Sequence, residues 1–116
     1  MPGDLWISRL DPGAAVVEPV DAAFFSVTRS ATEVSVVAPE PMTGARVEGP
    51  WRAFKVAGVL DFSLTGVLHE LTGPLATAGV SVFVQSTFDT DYVLVRSDRE
   101  AAAIDAWRTA GHGVES

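Results

Sequence analysis

Two short segments in the second half of this 116-residue sequence combine residue types that could bind a small charged molecule. The first, Gly58–Gly66, reads GVLDFSLTG, and the second, Ser86–Val95, reads STFDTDYVLV. The first is typical of a turn that leads into a helix, whose free N–H groups can bind a carboxylate. The second is typical of a polar hairpin before a buried strand, where an aspartate can bind an ammonium group. Together they predict a site for a zwitterion such as a free amino acid, and such a site needs no catalytic group.

The composition indicates an acidic globular protein. Hydrophobic residues make up 47% of the chain and charged residues 20%, and the formal net charge is -7 with a sequence pI near 4.6. This negative field repels phosphate, so nucleic acid and an anionic membrane surface are disfavoured as partners. The sequence has no cysteine, no basic-then-apolar N-terminus and no apolar run near the roughly 20 residues of a membrane helix. We therefore expect a cytoplasmic protein without disulfides, signal peptide or membrane helix.

The first half of the chain, residues 1–50, is predicted to be mostly β. Residues 39–50 contain three prolines and two glycines, which are expected to break any regular element. Since a segment of this size with so little helix cannot bury a core alone, this half is expected to pack on the other. Runs of aromatic and β-branched residues favour strands at Leu5–Leu10, Ala23–Thr28 and Glu33–Ala38, with Arg29–Thr32 as a hairpin turn.

The second half, residues 51–116, is predicted to begin with a strand at Trp51–Ala57 and to continue into a helix. Proline removes a helical hydrogen bond, so the helix is expected to kink or break at Gly73-Pro74. A glycine at the C′ position is expected to end it at Gly79. The apolar face of this helix has the spacing of one helical stripe and consists of Leu64, Val67, Leu68, Leu71 and Leu75.

The remaining residues predict two strands, a second helix and a last strand. Strands at Val80–Gln85 and Tyr92–Val95 flank the polar hairpin. A capping box at Ser97–Glu100 is expected to open a helix that Gly111 closes, and His112–Glu115 could form a short final strand. The order βαββαβ predicts a ferredoxin-like α+β fold for this half.

The order of elements and the two polar motifs resemble the ACT domain, a regulatory module that binds small ligands, mostly amino acids. The similarity is greatest to small stand-alone bacterial proteins with tandem ACT-like halves, which are related to the regulatory domains of aspartate kinases and to animal cytosolic arginine sensors. It implies a reduced ACT-like, mostly β half at 1–50 and an ACT domain at 51–116. The residues that carry it are Leu60–Gly66 and Gly79–Val95, and more weakly Ser26–Arg29 with Glu33–Val37.

The resemblance implies a non-catalytic regulatory or sensor protein that binds a free amino acid at the edge of the sheet, between two ACT units. Asp91 matches the family position that supplies an anion to the ammonium group, and the N–H groups of Phe62–Gly66 suit the carboxylate. No cofactor and no metal is implied. The candidate ligand-binding residues, which include carbonyl groups near Val59, Leu60 and Ser86, are Val59, Leu60, Asp61, Phe62, Ser63, Gly66, Ser86, Thr87, Phe88, Thr90 and Asp91.

Simpler roles for several of these residues stay open. Asp61 could be only a helix cap, and Asp89 and the hydroxyl residues of the hairpin could be ordinary turn residues. Asp89 and Asp91 form an Asp-x-Asp pair of the kind that can hold a divalent metal, although no third ligand follows from the sequence. His69 is predicted to be solvated, and His112 to act only as a helix cap.

The function and the ligand also leave alternatives. A structural or protein-interaction module with a vestigial pocket is the alternative function. An enzyme is disfavoured because the sequence has no paired acid and base, no triad and no phosphate loop. Phe62 and Phe88 suit an apolar ligand side chain, whereas Asp61 and Asp89 suit a cationic one. Exposed sheet edges favour a homodimer, and a stand-alone regulatory domain needs a further, unidentified protein to regulate.

Overall fold

The computed structural model describes residues 3–56 and 67–114, which divide into two compact units. The N-terminal unit is Gly3–Trp51, and the C-terminal unit begins at Arg52. The division falls inside a strand, which therefore contributes residues to both units. The described elements, in chain order, are β1 (Leu5–Leu10), β2 (Ser26–Arg29), β3 (Val34–Ala38), β4 (Arg46–Lys55), α1 (Val67–Thr77), β5 (Val82–Ser86), β6 (Asp91–Arg96), a 3₁₀ turn (Ser97–Arg99) and α2 (Glu100–Thr109).

The N-terminal unit is an antiparallel sheet in the order β2-β3-β1-β4, and no helix forms between Gly3 and Trp51. The predicted hairpin between β2 and β3 is confirmed, but its turn is Ser30–Glu33, one residue later than the predicted Arg29–Thr32, since Arg29 is the last residue of β2. The Ser30 N–H donates to the Glu33 carbonyl at 2.9 Å. β2 starts three residues later than predicted, and Phe25, which directly precedes it, packs against the buried residues of β3. The face of β3 that carries Val34, Val36 and Ala38 is covered by loop side chains and by the end of β1 in place of a helix: Leu10, Ala14, Val16, Phe25 and Met42.

Residues 39–50 were predicted to contain no regular element, and this is wrong for residues 46–50. β4 begins at Arg46 and runs through Gly49-Pro50. The register of β1 on β4 shifts at Trp6, so two residues of β4 oppose one of β1 in a β-bulge. A bulge tolerates proline, which has no N–H for the ladder. Gly49 adopts a φ of 149°, a conformation that favours glycine.

The C-terminal unit has the strand order β4-β6-β5 with both helices packed against the sheet. Strands β5 and β6 are antiparallel, with Val82 opposite Val95 and Ser86 opposite Asp91. Burying a valine or leucine side chain contributes about 1.5–3 kcal/mol, so this core is a main source of stability. The core consists of alternate residues of β6 with residues of both helices and of the chain after α1: Leu75, Val80, Val93, Val95, Ala103 and Trp107.

Both described helices end at the predicted glycines. Gly79, with a φ of 74°, follows α1, and Gly111, with a φ of 91°, follows α2. Each end has the paired hydrogen bonds of a Schellman motif; after α2 the His112 N–H donates to the Trp107 carbonyl at 2.9 Å. The final strand predicted at His112–Glu115 is wrong for residues 112–114, which extend from this cap without strand pairing. The described elements of this unit are therefore βαββα.

The capping box predicted at Ser97–Glu100 stays a prediction. The chain enters α2 through the 3₁₀ turn, and neither N-cap residue, Arg96 of the turn or Arg99 of α2, makes a side-chain capping hydrogen bond. The Glu100 carboxylate accepts a hydrogen bond from Nε of Arg52 on β4 at 2.6 Å. α1 has 11 residues and α2 has 10, about half the length that crosses a bilayer, so neither helix in the described part of the chain can span a membrane.

Candidate functional site

The β5–β6 hairpin closes through the four-residue turn Thr87–Thr90. The Thr87 N–H donates to the Thr90 carbonyl at 2.8 Å, and the Thr90 N–H donates to Oγ1 of Thr87 at 3.2 Å. The same hydroxyl donates to the Thr90 carbonyl at 3.1 Å. One threonine hydroxyl therefore both accepts and donates within the turn, which fixes it without a glycine. The turn role considered for the hydroxyl residues applies to Thr87 and Thr90.

Asp91 is the first residue of β6, directly after this turn. Side chains alternate between the two faces of a strand, so Asp91 lies on the same face as Val93 and Val95. Those valines pack in the core beneath the helices, whereas Asp91 is only half-buried at the end of the strand. Asp91 thus lies at the mouth of the buried strand, the position that the sequence analysis expected, and its binding of an ammonium group stays a prediction.

A backbone hydrogen bond joins the start of β6 to the residue that follows β4. The Val56 N–H donates to the Asp91 carbonyl at 2.9 Å. Val56 is the last described residue before residues 57–66, and α1 begins at Val67. The last described residue before α1 is therefore bonded directly to Asp91.

The structure brings together only part of the predicted site. Ser86 and Asp91 are direct partners in the hairpin register, and Thr87 and Thr90 close the turn between them. Six further predicted residues lie outside the described part of the chain, so their position relative to Asp91 stays a prediction: Val59, Leu60, Asp61, Phe62, Ser63 and Gly66.

Phe88 and Asp89 form the tip of the turn. Phe88 is 80% exposed, so its ring does not line a closed apolar pocket in this structure. Asp89 is exposed as well. Over residues 3–56 and 67–114, no cluster of three or more acidic or histidine side chains has an arrangement that could hold a metal ion. The Asp-x-Asp pair thus gains no third ligand from the described residues.

Two side chains from the end of the chain bind carbonyl groups of α1, and the sequence analysis missed both. The indole Nε1 of Trp107 donates to the Leu71 carbonyl at 2.6 Å, and Nε2 of His112 lies 3.2 Å from the Glu70 carbonyl. His112 therefore does more than cap α2. Pro74 is the signal that could have indicated the second contact, because a proline leaves the carbonyl four residues earlier without its helical donor.

The residues from β4 to α2 match the model of a known family, the ACT domain, over residues 46–108, more than half of the chain. The chain belongs to the ACT domain family. The match begins at the first residue of β4 and ends within α2, so it includes the β5–β6 hairpin and Asp91. ACT domains have a ferredoxin-like α+β fold, and the mixed helix and strand content of the C-terminal unit agrees with it.

Sequence relatives of this ACT protein include animal proteins named cytosolic arginine sensor for mTORC1 subunit 1. The rat protein is 34% identical over 67 residues, which cover 57% of this chain and 20% of the relative. The human protein is 33% identical over the same length. The chain thus spans about a fifth of these curated relatives.

Solved structures match over much more of the chain. A crystal structure of an Agrobacterium tumefaciens protein has a TM-score of 0.85 and 35% identity, covering 97% of this chain and 87% of the other. A Vibrio cholerae protein described as of unknown function, possibly in transport, has a TM-score of 0.72 with 15% identity, which shows a common fold alone.

Proposed function

We propose that this ACT protein is a non-catalytic regulatory module that binds a free amino acid. The observation that carries the proposal is the family match across β4–α2, which includes the hairpin and Asp91 at its base. The relatives named as arginine sensors support the same class of function, since they are 33–34% identical to this chain over the matched residues.

In the proposed site, Asp91 binds the ammonium group of the ligand. A charge-assisted hydrogen bond of this kind contributes about 1.5–3 kcal/mol. The N–H groups of Phe62–Gly66 would bind the carboxylate, and the carbonyl groups of Val59, Leu60 and Ser86 would accept the remaining ammonium hydrogens. The hydrogen bond between Val56 and Asp91 supports this arrangement, because it holds the residue that immediately precedes the segment 57–66 beside Asp91.

Asp61, Ser63, Thr87, Phe88 and Thr90 would complete the surroundings of the ligand. The exposed position of Phe88 is compatible with contact to a ligand only if the aromatic ring moves toward the site when the ligand binds. We further propose that the protein acts as a homodimer and transmits the bound state to a protein it regulates. A monomeric mass in light scattering at tens of micromolar protein, with and without amino acids, would contradict the dimer.

A thermal-shift screen against the twenty amino acids tests the proposed function. A ligand at 100 times its Kd adds about 2.7 kcal/mol to the free energy of unfolding, which in a domain of this size raises Tm by many degrees. We expect at least one L-amino acid to do so. If none acts at millimolar concentration, the interaction module with a vestigial pocket becomes the better description, and the exposed Phe88 would then suit a protein partner.

The role of Asp91 is tested by Asp91→Asn, which keeps the size and removes the charge. Affinity for the amino acid found in the screen is expected to fall about 10- to 100-fold in titration calorimetry, while folding is retained. Asp89→Asn is the matched control, because Asp89 is an exposed residue of the same hairpin. Equal affinities of the wild type and Asp91→Asn would remove Asp91 from the site, and a larger loss at Asp89 would place the anion at the tip.

A further inference from the structure

Trp107 connects helix α1 to strand β4 of the sheet. It is 4% exposed, in the middle of the core of the C-terminal unit. Its indole Nε1 donates to the Leu71 carbonyl at 2.6 Å, which is a short hydrogen bond. Together with the contact of His112 to the Glu70 carbonyl, this hydrogen bond restrains α1 along its own axis, because it binds the helix through a backbone atom and not only through apolar packing.

The other side of the Trp107 ring contacts β4. The rings of Phe54 and Trp107 meet edge to face, with centroids 4.8 Å apart and planes at 74°. Phe54 and Val56 both pack against this core, and the Val56 N–H donates to the Asp91 carbonyl at 2.9 Å. A continuous series of contacts therefore runs from α1 through Trp107 and the end of β4 to Asp91.

We propose that Trp107 is a positioning residue of the amino-acid site, which sets the distance between Asp91 and the start of α1. The inference rests on the proposed function, in which one ligand binds Asp91 at one end and the N-terminal side of α1 at the other. A ligand this small spans a fixed distance, so a shift of α1 weakens both contacts together. Trp107 does this without touching the ligand, through the Leu71 carbonyl and the Phe54 ring.

The first test is the affinity of Trp107→Phe for the amino acid found in the thermal-shift screen. Phenylalanine keeps an aromatic ring beside Phe54 and removes the donor to Leu71. We expect the Kd to rise about 2- to 30-fold, the range of coupling through packed side chains. Trp51→Phe is the matched control, since it is the same substitution at a buried tryptophan outside this core cluster, and its Kd should be unchanged. Equal Kd values for Trp107→Phe and the wild type would overturn the proposal.

The second test needs no ligand. Amide hydrogen exchange of the free protein compares Val56, which is bonded to Asp91, with Val95, which is buried toward the other end of β6. In Trp107→Phe the Val56 amide is expected to exchange about 2- to 30-fold faster relative to Val95. An equal acceleration of the two amides means that Trp107 only stabilises the core, and it would overturn the positioning role. If no amino acid binds the wild type, the proposed function fails, while this comparison still decides whether Trp107 holds Asp91 and α1 together.

Discussion

The Nε2 atom of His112 lies 3.2 Å from the carbonyl oxygen of Glu70. In an uninterrupted helix this carbonyl would accept the N–H of residue 74, where the chain has proline. A carbonyl oxygen only accepts, so Nε2 must carry the proton in this contact. The residue that follows α2 and its glycine cap thus supplies the donor that α1 lacks, and α1 continues through Gly73-Pro74 without ending there.

His112→Ala is therefore expected to destabilise the protein by about 0.5–1.5 kcal/mol, the worth of one hydrogen bond. The loss should be smaller in a Pro74→Ala background, because the alanine provides the missing N–H to the same carbonyl. Pro74→Ala alone should raise the free energy of unfolding by about 1–2 kcal/mol. Proline costs roughly 3 kcal/mol inside a helix, but it also reduces the conformational entropy of the unfolded chain, which offsets part of that cost. Urea titrations of the four proteins measure this, and an identical loss from His112→Ala in both backgrounds would show that the contact does not replace the helical bond.

Replacing two different glycines of the chain by alanine is expected to change stability in opposite directions. A Cβ at Gly49 would lie 2.9 Å from Cδ1 of Trp6 and 3.2 Å from the carbonyl of Leu5, at a φ of 149°. Gly49→Ala is expected to destabilise the protein by about 1–3 kcal/mol through overpacking and backbone strain. Gly73 lies inside α1, directly before Pro74, and apart from its chain neighbours and the helix's own backbone no described atom comes within 4 Å of where an added Cβ would lie. Gly73→Ala is therefore expected to stabilise by about 0.5–1 kcal/mol in a Pro74→Ala background, where no proline ring disfavours the helical conformation of the residue before it. Thermal denaturation of the two variants checks both signs.

The turn at Thr87–Thr90 depends on one hydroxyl group. Thr87→Val keeps the shape and removes both side-chain hydrogen bonds, so we expect a loss of about 0.5–1.5 kcal/mol in chemical denaturation. Thr87→Ser keeps the hydroxyl and serves as the control. Phe88→Ala, at the exposed tip, should change the free energy of unfolding by less than about 0.5 kcal/mol. A loss at Phe88 comparable with that at Thr87 would mean that the aromatic ring helps to hold the hairpin.

The Arg52–Glu100 ion pair is expected to make a small and salt-dependent contribution. The Nε–Oε2 distance is 2.6 Å, and the side chains are 29% and 35% exposed. A double-mutant cycle with Arg52→Gln and Glu100→Gln should give a coupling of about 0.5–1 kcal/mol at low salt. In 1 M salt, where the Debye length is about 3 Å, the coupling should decrease. A coupling that salt leaves unchanged would indicate hydrogen bonding and not charge as its source.

Local sequence signals predicted most strands and helix ends. Leu5–Leu10 is recovered in full as β1, and Gly79 and Gly111 end the helices because few other residues adopt a positive φ without strain. These sequence signals gave a wrong prediction where pairing with a neighbouring strand overrode the local conformational preference. Gly49-Pro50 lies inside β4 because the bulge at Trp6 accommodates it, and no local pattern contains that information.

For the candidate site, as for the fold, the sequence predicted what depends on local signals and missed what depends on tertiary packing. The sequence predicts that Asp91 lies at the mouth of a buried strand, because it directly precedes the apolar run Tyr92–Val95, and β6 does begin at Asp91. Its role in binding a ligand stays a prediction. The contacts of Trp107 and His112 with α1 join residues 36 and 42 positions apart, so they depend on how the two helices pack. Sequence spacing within one helix cannot give such a contact.

Strand β4 belongs to both units, because the division falls between its residues Trp51 and Arg52. Modular proteins are usually joined by exposed linkers, where proteases cut and where gene fusion tolerates a junction. In this chain a junction at that point would divide a ten-residue strand and leave each product with a fragment of it. The family match also starts at Arg46, not at the division. We therefore expect the two halves to be inherited together as a rule. A relative that keeps only the second half is expected to retain the whole of residues 46–55 with it.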